Sequence, residues 1–114
     1  MDPERARELL TTERERIERT LTALAAPAEG DELSHVDQHL ADEGSELTQQ
    51  ETDEGLALRL REELEAIERA EARLREGTYG LSVESGEPIP DGRLERVPWA
   101  DRTAEEQARL ERGG

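Results

Sequence analysis

GTYGLSVESGEPIPDGRLERVPWADRTAEEQ, residues 77–107, carries the most informative pattern in this 114-residue chain. Two residues separate Ser82 from Ser85, two separate Thr103 from Glu106, and seventeen lie between the pairs, which is within the spacing of a four-cysteine zinc site. The chain contains no cysteine. Two serine hydroxyls, a threonine hydroxyl and a carboxylate are poor substitutes for four thiolates. We therefore expect a module that folds without zinc.

The residues around these four positions form a recognisable frame. Residues 77–80 read Gly-Thr-Tyr-Gly, residues 86–90 read Gly-Glu-Pro-Ile-Pro, and residues 93–100 lead to the second pair. This frame resembles the C-terminal motif of the DksA/TraR family of bacterial transcription regulators. Residues 31–47 also resemble a segment found in one branch of that family, so the resemblance covers roughly residues 31–110.

The resemblance implies both a fold and a partner. Family members are similar in having a long helical hairpin that enters the secondary channel of RNA polymerase, and a small globular end that carries zinc. We accordingly expect a mainly α protein. Residues 1–76 should form an antiparallel two-helix coiled-coil hairpin with an acidic tip at 27–45, and residues 77–114 a metal-free, zinc-ribbon-like module that ends in a short helix. RNA polymerase is the expected partner.

The resemblance also implies which residues act on the partner. In the family, an acidic Asp-x-x-Asp-x-Ala motif at the hairpin tip carries the effect on polymerase. Counting back from Ser82 places His39, Asp42 and Gly44 at the corresponding positions, so Asp42 alone keeps the expected carboxylate. The predicted partner-binding tip comprises Asp37, His39, Asp42, Glu43 and Glu46.

Apolar spacing predicts two helices without the resemblance. The first should begin at Asp2-Pro3 and end before Pro27, and the second should run from about residues 42–45 to Glu76, where Gly77 ends it. The first apolar seam comprises Leu10, Ile17, Leu21 and Leu24, and the second comprises Leu60, Leu64, Ile67 and Leu74. Arg14 interrupts the first seam and Glu71 the second. Two narrow stripes can be buried only against each other or against another chain.

Local patterns predict the arrangement beyond Gly77. Residues 88–92, Pro-Ile-Pro-Asp-Gly, are typical of a tight turn between two short extended pieces. Thr103 and Glu106 fit a capping box at the start of a final helix. The predicted core of the module comprises Tyr79, Leu81, Ile89, Leu94, Val97, Trp99 and Leu110.

The net charge of the chain argues against nucleic acid as a direct partner. The chain has 30 acidic residues, 15 basic residues that are all arginine, and a net charge of -15. Residues 27–58 hold ten acidic side chains and no arginine. Such a surface repels nucleic acid phosphates, so direct DNA binding is not expected. His35, Asp37, His39 and Asp42 lie at spacings that do not bring four metal ligands together on a helix or a strand.

Other function classes receive little support from the sequence. It lacks a cysteine nucleophile, a recognisable Ser-His-acid pattern and a phosphate-binding glycine loop, so we do not expect an enzyme. It also lacks an apolar stretch that could span a membrane, and the expected location is the cytoplasm. The main alternative is a structural coiled-coil module that oligomerises or binds proteins without acting on polymerase. A monomer would favour the regulator.

Overall fold

The computed structural model describes residues 1–25 and 43–113, and gives only the backbone for residues 43–51. Four helices form this part of the chain: α1 (Pro3–Ala25), α2 (Glu43–Glu76), α3 (Asp91–Arg96) and α4 (Ala104–Gly113). Within it, extended pairing is limited to one isolated antiparallel bridge between Leu81 and Pro88. The mainly α prediction is confirmed.

The ends of the two long helices follow from local sequence. Asp2 accepts the backbone N–H of Arg5 through Oδ2 at 3.1 Å, which caps α1. At the end of α2, Gly77 adopts a φ of 84°, a conformation that glycine reaches without a Cβ clash. Thr78 N–H then donates to the Arg73 carbonyl at 2.9 Å, as in a Schellman motif. Both boundaries agree with the sequence-based prediction.

The two long helices pack side by side in opposite directions. Leu10 of α1 lines a groove with Leu74 of α2, whereas Leu24 lines another with Ala57. Between these points, one apolar cluster is buried, comprising Leu10, Ile17, Leu60, Ile67 and Ala70. Leu21, Leu24, Leu64 and Leu74 pack against this cluster while partly exposed. Burying each large aliphatic side chain contributes about 1.5–3 kcal/mol, so this seam supplies most of the attraction between the helices.

The two charged residues that interrupt the seams face each other. Arg14 Nε donates to Glu71 Oε2 at 3.2 Å and Arg14 Nη2 to Glu71 Oε1 at 2.5 Å. The hydrogen bond with Glu71 raises the pKa of Arg14, so the guanidinium stays charged. The two charges that interrupt the seams, and that left pairing with another chain open, are therefore paired with each other within this chain.

A second buried cluster holds residues 77–113 together. Ile89, Leu94 and Ala100 are buried in it, and Met1, Tyr79 and Val97 pack around them. Tyr79 also packs against the helix-pair cluster, and its hydroxyl donates to the Pro98 carbonyl at 2.8 Å. Burial raises the pKa of Tyr79 to about 12. Tyr79 thus joins the C-terminal module to the end of the helix pair.

The predicted turn at residues 88–92 is wrong. Asp91 begins α3 instead, with Arg93 N–H and Leu94 N–H both donating to the Pro90 carbonyl, at 3.0 and 3.2 Å. Burial of Leu94 favours this helical turn, and the carboxylate of Asp91 in its first turn suits the helix dipole. The chain reverses earlier, at Gly86, where φ is 78°.

The predicted core of the module is partly wrong. Leu81 and Leu110 are 40% and 48% exposed, so they do not belong to it. Pro98 and Ala100, which were not predicted, are buried in their place. Trp99 is partly buried and packs against the helix-pair cluster. The short bridge and short helices leave room for few inward-facing positions, and small residues occupy some of them.

None of the helices in the described residues combines the length and apolarity that crossing a membrane requires.

Candidate functional site

The four positions with zinc-site spacing come together at one place. Ser82 and Ser85 lie in the loop after Leu81, and Thr103 and Glu106 lie at the start of α4. Ser82 is 4% exposed and Glu106 is 5% exposed, which is unusual burial for two polar residues. The arrangement therefore needs internal hydrogen bonds to be stable.

A carboxylate occupies the centre of this cluster. The Ser82 hydroxyl donates to Glu106 Oε1 at 2.6 Å, and Thr103 N–H donates to the same oxygen at 2.9 Å. Glu106 N–H in turn donates to Thr103 Oγ1 at 3.2 Å, which completes the predicted capping box. One side chain thereby caps α4 and ties it to a loop 24 residues earlier in the chain.

The loop that presents Ser82 is shaped by its own hydrogen bonds. Ser82 Oγ accepts the N–H groups of Glu84 and Ser85 at 3.0 and 3.1 Å. Ser82 N–H donates to the Glu87 carbonyl at 2.8 Å, and Gly86 N–H returns to the Ser82 carbonyl at 2.9 Å. The serine hydroxyl is thus fixed, with its proton directed at Glu106.

Further contacts hold the loop against the start of α4. Val83 N–H donates to the Asp101 carbonyl at 2.9 Å. Glu84 forms ion pairs with Arg102 at 3.5 Å and with Arg109 at 3.4 Å. Arg109 and Glu84 are both exposed, so their ion pair contributes little, about 0–1 kcal/mol, whereas Arg102 is partly buried. The buried hydrogen bonds of Glu106 are the stronger connection.

The cluster stabilises the ionised form of Glu106. Its pKa falls from 4.5 to about 2, chiefly because the Ser82 hydroxyl donates to the carboxylate, with Ser85 and the Thr103 N–H acting in the same direction. The folded-state pKa is lower than the unfolded-state value. This stabilisation is therefore complete above about pH 4.5 and is lost as the pH falls towards about 2.

We expect Glu106→Gln to lower the thermal midpoint at neutral pH, because glutamine keeps the shape but removes the charge that three donors stabilise. The difference in midpoint between parent and variant should shrink as the pH falls from about 4.5 to about 2. Thermal unfolding followed by circular dichroism measures it. Glu105→Gln, an exposed neighbour, is the matched control. A difference that stays constant over this pH range would contradict the role given to the Glu106 charge.

The donor set of this cluster does not fit zinc. All four side chains offer oxygen, and the Glu106 carboxylate and the Ser82 hydroxyl are already engaged with internal donors. Zinc in structural sites prefers thiolate and imidazole ligands. Within the part of the chain that the structure describes, no group of three His, Asp or Glu side chains could hold a metal ion.

Only part of the predicted partner-binding tip lies among the residues that the structure describes. Asp37, His39 and Asp42 lie outside the described residues. Glu43 and Glu46 lie in the first turns of α2, where only the backbone is described. Their assignment as tip residues remains a prediction.

Sequence reasoning missed the hydrogen bond from Ser82 to Glu106, although both signals for it were present. The spacing placed the two pairs near each other, and the capping box turned the Glu106 carboxylate back towards the start of α4. Together they predict a carboxylate facing the serine loop. Sequence reasoning also missed that Arg14 and Glu71 would meet, although they are the two charges that interrupt the seams.

Comparison with known proteins gives matches in sequence and in structure. The chain is 44% identical over 81 residues to general stress protein 16O of Bacillus subtilis, covering 70% of this chain and 50% of that protein. It is 41% identical over 83 residues to the RNA polymerase-binding transcription factor DksA of Caulobacter vibrioides, covering 69% of this chain and 54% of that protein. The chain thus spans about half the length of these curated relatives.

A solved structure matches this chain over a larger share of both proteins than the curated relatives do. Transcription factor DksA2 from Pseudomonas aeruginosa is 30% identical, and the match covers 92% of this chain and 84% of that one with a TM-score of 0.52. No protein-family model matches the chain.

Proposed function

The chain belongs to the DksA/TraR family, and on this basis we propose that it is a transcription regulator that binds RNA polymerase. The observation that carries the proposal is the match to DksA2, which extends over both the helix pair and the C-terminal module of this chain. The relative from Caulobacter vibrioides is itself named an RNA polymerase-binding transcription factor. The proposed role is regulation by binding, without catalysis.

The long helices support a specific mode of binding. We propose that α1 and α2 form an antiparallel coiled-coil hairpin, spanning residues 1–76, whose tip enters the secondary channel of the polymerase. At about 1.5 Å per residue, the 34 residues of α2 span about 51 Å, enough to reach deep into a narrow channel. The packed seam of Leu10, Ile17, Leu60 and Ile67 would keep this arm rigid.

The charge distribution supports an acidic tip. Residues 27–58 carry a net charge of -10, whereas residues 1–26 and 59–76 each carry -1. A concentrated negative charge is attracted to basic groups or to a bound cation, and such complementarity governs encounter and orientation. We propose that Asp37, His39, Asp42, Glu43 and Glu46 contact the polymerase.

The C-terminal module completes the proposed architecture. We propose that residues 77–114 form a zinc-ribbon-like module in which Ser82, Ser85, Thr103 and Glu106 stand at the zinc-ligand positions. The hydrogen bonds of Glu106 would take over the link that a metal provides between the loop and α4. We further propose a cytoplasmic monomer that acts without contacting DNA, because its surface is acidic.

Direct binding tests the proposal. The purified chain, immobilised through a C-terminal tag, should retain purified bacterial RNA polymerase, and a photo-crosslinking residue at position 40 should label polymerase subunits that line the secondary channel. The same crosslinker at position 105, on exposed α4, is the control for the predicted orientation. Absence of binding would overturn the proposed function. Binding with crosslinks only from position 105 would overturn the proposed mode.

Metal independence can be tested separately. We expect the thermal unfolding of the purified protein to be unchanged by excess chelator, because Glu106 and its hydrogen bonds connect the loop to α4. A structural zinc contributes about 10–16 kcal/mol in small peptides, so its removal would be conspicuous. Elemental analysis should find no stoichiometric zinc. A fall of the midpoint in chelator would show that the oxygen cluster does hold a metal.

A further inference from the structure

Arg14 and Glu71 each stand where an apolar residue would continue a helix seam. Arg14 lies four residues after Leu10 and three before Ile17, which are 1% and 0% exposed. Glu71 lies four residues after the fully buried Ile67 and three before Leu74. A charge in such a seam is unfavourable unless an opposite charge meets it.

The partner is supplied from the facing helix. Two hydrogen bonds join the Arg14 guanidinium to the Glu71 carboxylate, and the two side chains are only 26% and 25% exposed. Arg14 Nη1 also lies 3.3 Å from Glu18 and 3.8 Å from Glu68, so carboxylates surround its outer side. The pair is therefore a half-buried polar layer inside an apolar seam.

We propose that this ion pair determines how the helices pair. It favours packing of α1 on α2 in one register, and it disfavours packing of either helix on its own copy in a second molecule. Apolar seams repeat about every seven residues, so a slide by one heptad still matches apolar positions. Slid one way, Arg14 would face Leu64, and slid the other way, Glu71 would face Leu21. Each slide leaves a charge against an apolar side chain.

Pairing with a second copy is opposed for the same reason. Two α1 helices in parallel would bring Arg14 against Arg14, and two α2 helices would bring Glu71 against Glu71. Like charges in a seam repel where water is partly excluded. Only α1 against α2 matches opposite charges. Since apolar replacement of such a pair is often neutral or stabilising, the expected contribution of the pair is to specificity rather than to stability.

The test replaces the whole polar layer. We expect Arg14→Leu/Glu71→Leu to unfold at a temperature equal to or higher than the parent's, yet to associate at least about tenfold more tightly in analytical ultracentrifugation. Glu13→Leu/Arg16→Leu is the matched control. It removes an ion pair within α1 and adds the same two leucines, but it leaves the hydrogen bonds between Arg14 and Glu71 in place. The control should remain as monomeric as the parent.

Register can be read with disulfides, because the chain has no cysteine of its own. Leu10→Cys/Leu74→Cys reports the observed register, since both residues line one groove. Leu10→Cys/Ile67→Cys reports a slide of one heptad, about 10 Å along the helix, which is too far for a disulfide in the observed register. With Arg14 and Glu71 unchanged, only the Leu10→Cys/Leu74→Cys pair should form a disulfide. In the double-leucine background, both cysteine pairs should form one.

A single variant and a charge-reversed pair test the proposal if the double-leucine variant fails to fold. Arg14→Glu should lower the thermal midpoint, and adding Glu71→Arg should restore both the midpoint and the single register. Equal association by the double-leucine variant and its control would overturn the proposal. So would a double-leucine variant that stays monomeric and crosslinks only in the observed register, or a reversed pair that restores neither property.

Discussion

Ile67→Ala should lower the free energy of unfolding by about 2–5 kcal/mol, because it removes three methyl or methylene carbons from the centre of the helix pair and leaves a cavity. Ile67 is 0% exposed and belongs to the cluster that joins α1 to α2. Alanine is the better helix former by about 0.4 kcal/mol, which offsets only a small part of the loss. For a small domain whose total stability is about 5–15 kcal/mol, this is a severe change.

Urea denaturation followed by circular dichroism measures the effect, since the midpoint and slope give the free energy in water. Leu58→Ala is the matched control, because Leu58 lies on the same helix and is 58% exposed. Its substitution should change stability by less than about 0.5 kcal/mol. Equal losses for the two variants would show that α2 does not bury its Ile67 face against α1.

The helix pair could be predicted from the sequence because its signals are long and redundant. The seams, the Asp2-Pro3 start and the Gly77 stop all indicate the same two helices, whose observed bounds are Pro3–Ala25 and Glu43–Glu76. The mutual pairing of Arg14 and Glu71 was harder to see. Each residue weakens its own seam, and only the packed structure reveals that the two exceptions compensate.

The C-terminal module was less predictable because its signals are short and compete. Asp91-Gly92 is typical of a turn, yet burial of Leu94 outweighs that tendency and a helix forms. Leu81 and Leu110 are apolar by composition, but the module is too small to bury every apolar side chain that it contains. Local preferences decide the outcome only where tertiary packing does not oppose them.

The four positions with zinc-site spacing could be located from the sequence, but their chemistry could not. Spacing predicted that Ser82 and Glu106 would be neighbours. It did not predict that Glu106 would accept from a hydroxyl and a backbone N–H at once and so cap α4 as well. That dual role depends on the exact path of the loop from Ser82 to Gly86, which is set by backbone hydrogen bonds.

Asp42→Asn should abolish the proposed effect on transcription while leaving the fold intact. Asp42 directly precedes Glu43, the first residue of α2, and is the one position of the proposed tip that keeps the carboxylate implied by the family resemblance. Asparagine keeps a side-chain oxygen that can cap a helix, so stability should change little. Removing one of ten acidic charges from residues 27–58 should weaken polymerase binding by less than about fivefold.

The measurement is a reconstituted transcription assay with purified polymerase, run beside a binding titration and a thermal melt. Glu65→Gln is the matched control, because it removes one negative charge from an exposed position on α2 that lies away from the tip. Loss of regulation in Asp42→Asn alone, with binding and folding retained, would assign the regulatory effect to the Asp42 charge. If the variant regulates as well as the parent, the charge of Asp42 has no part in regulation, and the tip mechanism implied by the family resemblance does not carry over to this protein.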